Sequence, residues 1–382
     1  MLSVSFSFAY TCYRYVIKKP HGLPFIINLQ WLILLITYKL NENSFVPLNE
    51  KSDLAIFIFI FTFTIVHNLT PSSWTFKVNT PHFIQDNLLY GSAYLASILS
   101  FILLINSGDK FTDLMSLRTL VTPEGSEERL SIGVGFSLPL TLTAWILARS
   151  KDKKRESYLL GIISFFLAVI TTSKIFIMIC LLFSIPINIK IKRISFEKIF
   201  KIGIIAVFGF ALLHIALGKF VESDEGLIDS AYKTLISYML SGIAGFSLYI
   251  NNEAQFPVNA IWKPIGDIFP TLIDVPESNI LPWIQIGDWY GNVYTGLAYW
   301  IDGFGYLGMI LFIGIIGLTS KIIYSTSRVT MIPIQRLFLF GILIIPHQDS
   351  FLSSIKIWIG FLICSIILSA SQSKIARRMP II

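Results

Sequence analysis

The chain is predicted to be an all-α polytopic membrane protein, with about 11 transmembrane helices and one large loop on the outer side. Composition is the first observation behind that expectation. Of 382 residues, 54% are hydrophobic and only 14% charged, and the mean hydropathy is +0.69, well outside the range of soluble globules. Apolar runs are the second: they recur near 2–17, 24–40, 53–69, 87–106, 131–148, 157–172, 174–189, 199–218, 304–324, 333–347 and 354–370. Most approach the roughly 20 residues that cross a bilayer as helix. The third is the placement of charge between them. Lys18 and Lys19, the cluster Arg149 to Arg155, Lys190 to Lys201, Lys321 with Arg328 and Arg336, and Lys374 with Arg377 and Arg378 all fall on one side if the runs alternate. Basic loops stay in the cytoplasm. The net charge of +7 is thus explained by topology, and no nucleic-acid partner is expected.

Taken in order, the first run is the shortest argument for a span, because it carries Arg14, which can snorkel to the interface beside Lys18. No basic stretch or small-residue cleavage site marks it as a removed leader, and its shortness leaves room for an upstream start. The next runs alternate across the bilayer, leaving 41–52, 107–130, the tight turn at Thr172 and Ser173, 219–303 and 348–353 outside. The segment Ile228–Ile250 is apolar but carries Asp229 and Lys233 and many Ser, Gly and Tyr residues. An amphipathic helix at the outer interface fits it better than another span. The whole, 1–382, is expected to form a single integral membrane domain, with 219–303 as a large loop within it. Cys12, Cys180 and Cys364 all lie in apolar runs and read as small buried hydrophobes.

The outer loop is acidic and aromatic. Glu222, Asp224, Glu225, Asp229, Glu253, Asp267, Asp274, Glu277, Asp288 and Asp302 face only Lys219, Lys233 and Lys263, so it is not a surface that clings to anionic headgroups. Trp262, Trp283, Trp289, Tyr290, Tyr294, Tyr299 and Trp300 are residue types on which sugar rings stack; an interfacial aromatic belt is the alternative for Tyr299 and Trp300 at the helix mouth. Trp283 and Trp289, flanked by turn residues, are the better platforms.

Candidate chemistry follows from charge near membrane depth. No Gly-rich phosphate loop, zinc-type cluster or Ser-His-Asp order is present, and the five histidines are dispersed, so no cofactor and no metal are expected. Arg118, Lys174, Arg129 and Lys219 are outer cations suited to a phosphate. Surface pairs with Glu124, Glu127 or Glu128 are the alternative for the two arginines, and a hairpin anchor for Lys174. For a general base the candidates are Asp302, Asp288, His347 and His214. Asp302 can instead cap the helix that follows it, and His347 with Asp349 forms either a polar cavity wall or a plain turn.

The segment Asn292-Val-Tyr-Thr, followed by Tyr299-Trp300-Ile-Asp302-Gly-Phe-Gly-Tyr-Leu-Gly308, resembles the loop ending of Wzy-type O-antigen and oligosaccharide repeat-unit polymerases. Ser237-Tyr-Met-Leu-Ser-Gly-Ile-Ala-Gly-Phe246 resembles the helix that opens the same loop. Two departures are Gly303, inserted between Asp302 and Phe304, and Lys174, where the family often has Arg. The resemblance implies a GT-C-like transferase architecture. It implies a metal-independent glycosyltransferase in the bacterial inner membrane, with undecaprenyl-diphosphate-linked oligosaccharide as substrate, the lipid bilayer around it and a chain-length regulator membrane protein as partner. Arg118, Lys174, Arg129 and Lys219 would then hold the diphosphate. Asn292, Tyr294, Tyr299, Trp289 and Tyr238 would hold glycan, and Asp302, His347 or Asp288 would take the acceptor proton. An O-antigen ligase, which shares the span count and the large loop, and a lipid-linked oligosaccharide flippase or transporter, which needs charge-lined cavities along the spans, stand as alternatives.

Overall fold

The structure is a computed structural model that describes residues 1–17, 22–74, 86–106, 128–170, 174–185, 227–254, 260–262, 283–291, 293–326, 331–349, 351–352 and 355–371. Among them, eleven α-helices and one two-stranded hairpin appear. The helices are α1 Leu2–Val16, α2 Leu23–Leu40, α3 Glu50–Leu69, α4 Asp86–Asn106, α5 Glu128–Ser150, α6 Lys154–Ile170, α7 Lys174–Ser184, α8 Leu227–Ile250, α9 Gly296–Ser325, α10 Ile332–Leu343 and α11 Ile355–Ser371. Every apolar run of the sequence except 199–218, which lies outside the described residues, contains a helix. Four described helices are long and apolar enough to cross a membrane: α2, α3, α4 and α9. The architecture is that of a mostly helical, polytopic membrane protein.

Local chemistry explains where the helices start and turn. Pro24 opens α2, where its missing N–H costs nothing. Asn49 caps α3, its Oδ1 accepting from the Ser52 N–H at 2.7 Å, with Glu50 and Asp53 in the first turn, complementing the positive helix end. Hydroxyls then tie helices together where no water competes. Ser97 meets Thr141 at 3.2 Å and Ser100 meets Ser137 at 2.9 Å between α4 and α5. Asn28 of α2 donates to Thr64 of α3 at 2.9 Å, and His67 bonds Ser320 of α9 at 2.6 Å. Small polar residues of this kind let apolar helices approach closely.

Helix directions define two ends. α5 and α11 run the same way, since Gly360 abuts Pro139 and Cys364 bonds Thr143 one turn further along both. Cys180 of α7 donates to the Ser164 carbonyl of α6 at 3.5 Å, and Arg149 near the end of α5 donates to the Phe183 carbonyl at 2.8 Å. The N-termini of α5, α7 and α11 therefore share one end. At the other, Lys151 pairs with Asp86, and the Tyr324 hydroxyl donates to the Gln335 carbonyl at 2.6 Å. These are the segments whose basic residues predict the cytoplasmic side.

Candidate active site

Segments distant in sequence converge at the end where α11 begins. Asn49 donates its amide to the Ser247 carbonyl at 2.8 Å, and the Ser247 hydroxyl donates to the Pro47 carbonyl at 2.9 Å. These bonds fasten α8 to the α2–α3 loop. Strands β1 Ile284–Gln285 and β2 Tyr290–Gly291 form an antiparallel hairpin. Its turn is bound to the same loop: the Asp288 N–H donates to the Ser44 carbonyl at 3.1 Å, and Gly287 bridges Phe45. The Gly296 N–H donates to the Ile345 carbonyl at 2.7 Å, joining the start of α9 to the turn after α10.

α8 is the element the others press against. A Cβ at Gly242 would collide with the Pro346 carbonyl oxygen, and one at Gly245 would stand 2.6 Å from that of Val293. Only glycine at both positions allows backbone-to-helix contact on that face. α8 is thus not a helix resting on the interface alone: its second half, from Leu240 to Leu248, is buried.

α9 is broken. Gly305 has φ 68 and ψ 177, a region essentially reserved for glycine. In a straight helix Trp300 and Phe312 would be about 18 Å apart along the axis, yet their ring centroids are 5.2 Å apart. A Cβ on Gly308 would sit 2.5 Å from the Phe304 Cβ. The segment 296–304 therefore folds back over the helix that follows. The sequence placed the start of this helix near 304; the structure starts it eight residues earlier, at Gly296, with Thr295 at the N-cap position. Asp302 consequently sits near the C-terminal end of the folded-back segment, not at a helix N-cap.

Asp302 is half-buried. The turn Ala260–Trp262 packs beside it, with Trp262 edge-on to Phe304 at 5.2 Å and Ile261 filling the space next to Gly303. From α8, Tyr249 is in the field of Asp302 and Tyr306. Burial first, and then those two groups, push its phenol up to about 12. Tyr249 thus keeps its proton at neutral pH in the neighbourhood of the carboxylate.

A comparison with curated proteins finds the O-antigen polymerase of Shigella dysenteriae, 35% identical over 365 residues and covering 93% of each chain. The chain belongs to the O-antigen polymerase family. No family model matches it, and no solved structure does.

Within this family member the other candidate residues separate by position. His347 follows Pro346 in the turn after α10, beside Gly242. Gly242 and Tyr249 are seven residues apart on α8, about 10 Å of rise, so His347 and Asp302 flank the α8 face at two levels. Asp288 is exposed at the hairpin turn. Trp289 has one side covered by Phe45, at 4.6 Å between centroids. Tyr294 is fully buried, so its ring packs the interior and offers no face to a ligand in this conformation; burial pushes its phenol up to about 12. Tyr238 and Tyr299 are half-buried, and Asp349 and Tyr294 act electrostatically on Tyr299. Arg118, Lys219 and Asn292 lie outside the described residues, as does His214. Lys174 is the first residue of α7 and Arg129 the second of α5; their side chains lie outside the described residues.

Trp300 is core rather than interfacial belt. It is fully buried, and its indole N–H donates to Asp349 Oδ1 at 2.9 Å. Asp349 also accepts from the Phe351 and Leu352 N–H groups at 3.1 and 3.0 Å, which makes it the organiser of the turn. The Gly-x-x-Gly spacing at Gly242 and Gly245 was the one sequence signal of the α8 contact; Tyr249 had none.

Proposed function

We propose that this chain polymerises O-antigen by moving a growing glycan from its undecaprenyl diphosphate carrier onto a lipid-linked repeat unit at the periplasmic face of the bacterial inner membrane. The observation that carries the reading is Asp302. It is a half-buried carboxylate beside a helix break, and non-helical backbone at membrane depth is tolerated where protein buries it or a polar cavity meets it. In the reaction a hydroxyl of the acceptor sugar attacks the anomeric carbon of the donor. The bond from that carbon to the diphosphate oxygen breaks, the hydroxyl proton passes to Asp302, and the lipid diphosphate leaves with the electron pair. Cations stabilise the departing charge in place of a metal.

Lys174 and Arg129 support this assignment. Each lies in the first turn of its helix, where the macrodipole disfavours a cation but attracts an anion, and both helices open at the end that holds Asp302 in our reading. The charge bias assigns that end to the periplasm, with eleven spans, the 219–303 loop outside and the C-terminus in the cytoplasm. A chain-length regulator is the partner expected beside it.

Deleting the gene is expected to leave lipopolysaccharide capped by a single repeat unit, seen as one band above core on electrophoresis. Loss of a ligase or a flippase would instead remove all glycan beyond core. A normal ladder in the deletion strain would reject the polymerase reading.

Arg118→Ala and Lys174→Ala are each expected to cut polymerisation about 100-fold, the effect of removing one preorganised group worth about 3 kcal/mol in the transition state. Lys174→Arg is expected to keep long chains. Polymer ladders at matched membrane levels check this; a wild-type ladder from Lys174→Gln would return Lys174 to the role of hairpin anchor.

A further inference from the structure

The outer hairpin has two unlike faces. Its register pairs Gln285 with Tyr290 and Ile284 with Gly291. Side chains alternate along a strand, so Trp283, two residues before Gln285, shares the face of Gln285 and Tyr290. That face is open: Trp283 is 66% exposed and Tyr290 67%, and Gln285 is exposed as well. The other face is closed, with Ile286 fully buried and Gly291 packed on Ile286 and Ser241.

A free two-stranded hairpin is marginal in water, but this one is pinned. Ile286 donates to the Trp289 carbonyl at 2.8 Å, Asp288 to Ser44 at 3.1 Å, and Trp289 rests on Phe45. Two large rings therefore stand exposed on one face of a fastened hairpin, with the Gln285 amide on the same face and Asp288 exposed at the turn.

We propose that this face is a carbohydrate-binding subsite on which Trp283 and Tyr290 carry sugar rings of the glycan while Gln285 and Asp288 bond their hydroxyls. A pyranose presents an apolar C–H face and a rim of hydroxyls, and the hairpin presents the complement, aromatic planes beside an amide and a carboxylate. A purely apolar partner would leave Asp288 unmatched, and an anionic lipid surface would be repelled by it. The face is also continuous with the site. Four residues, 292–295, separate the end of β2 from the start of α9, so a glycan lying here is led toward the segment that bears Asp302. The occupant rests on the polymerase reading, but binding is measured without turnover.

The test is calorimetric titration of the full-length protein, in phosphatidylcholine nanodiscs, with O-polysaccharide released by mild acid from cells that carry the gene. Trp283→Ala and Tyr290→Ala are each expected to weaken binding about 3- to 10-fold, the worth of one aromatic contact, with melting unchanged. Trp283→Tyr is expected to retain most of the affinity. In cells both Ala variants are expected to give ladders of shorter modal length. Unchanged affinity in both variants overturns the subsite. So does quenching of Trp283 fluorescence by headgroup-proximal brominated lipid together with indifference to polysaccharide, which would make the rings a membrane anchor. An Asp302→Asn protein that binds polysaccharide normally but polymerises fully would reject the base and leave the subsite standing.

Discussion

Asp302→Asn is expected to abolish O-antigen chains longer than a single repeat unit while the protein stays in the membrane at wild-type levels. The substitution keeps volume but removes the charge and the basic oxygen, so the base is lost while the space it fills is kept. General-base contributions run to about 100- to 10,000-fold, enough to collapse a ladder to its first rung. A capping role would give a different pattern, because Asn caps as well as Asp, but the N-cap position of α9 belongs to Thr295. The decisive comparison is therefore with the other carboxylates. Asp288→Asn, at an exposed turn, keeps a group that can bond a sugar hydroxyl and is expected at most to shorten the modal length without collapsing the ladder, and His347→Gln to reduce long chains less than Asp302→Asn does. A full ladder from Asp302→Asn would transfer the base to His347. Tyr249, held protonated by burial and its acidic neighbour, keeps its hydrogen through neutral pH, so loss of activity as pH falls is expected to report the carboxylate and not the phenol.

The helical plan was legible because apolar runs of near-span length are a property of single segments. What the sequence could not show is tertiary. Asn292 to Gly308 was visible as an unusual ending, yet the helix was expected to start near 304. Asp302 was read as a possible cap of the helix that follows it, and the fold-back over Phe312 depends on a single glycine dihedral that composition does not encode. Trp300 divided in the same way: an aromatic at a helix mouth suits a headgroup belt, and only the position of Asp349, 49 residues later, makes it core. Ile228–Ile250 was correctly expected to be helical, but its burial comes from Gly242 and Gly245 meeting backbone of two other segments. Lys174 and Arg129 were legible as charges near the ends of apolar runs, and the structure places both in the first turn of a helix; their role toward a diphosphate is a proposal.

Asp349→Ala is expected to destabilise the protein by about 3–5 kcal/mol, the second large effect. Asp349 is 1% exposed, and its two oxygens take three N–H groups, from Trp300, Phe351 and Leu352. Alanine leaves all three donors without an acceptor; the Trp300 indole is buried and the two backbone groups partly so, and an unmet buried donor costs about 1–3 kcal/mol. Loss of the buried charge returns part of that, which keeps the total below the simple sum. Asp349→Asn separates the contributions. An amide oxygen in place of Oδ1 can still serve Trp300 and Phe351, but the amide nitrogen then faces the Leu352 N–H, donor against donor, so a smaller loss of about 1–2 kcal/mol is expected. Trp300→Phe removes one donor along with its acceptor bond and is expected to cost about 1 kcal/mol in hydrogen bonding plus the packing of the larger ring. Cys180 and Cys364 are buried, so the rate at which a thiol-reactive dye labels them during a thermal ramp in detergent reports the unfolding. The expected order of melting temperature is wild type, then Asp349→Asn, then Asp349→Ala. An Asp349→Ala protein that melts with wild type would show that the turn from Ile344 to Leu352 is held by packing of Phe351 on Trp358 and not by the carboxylate.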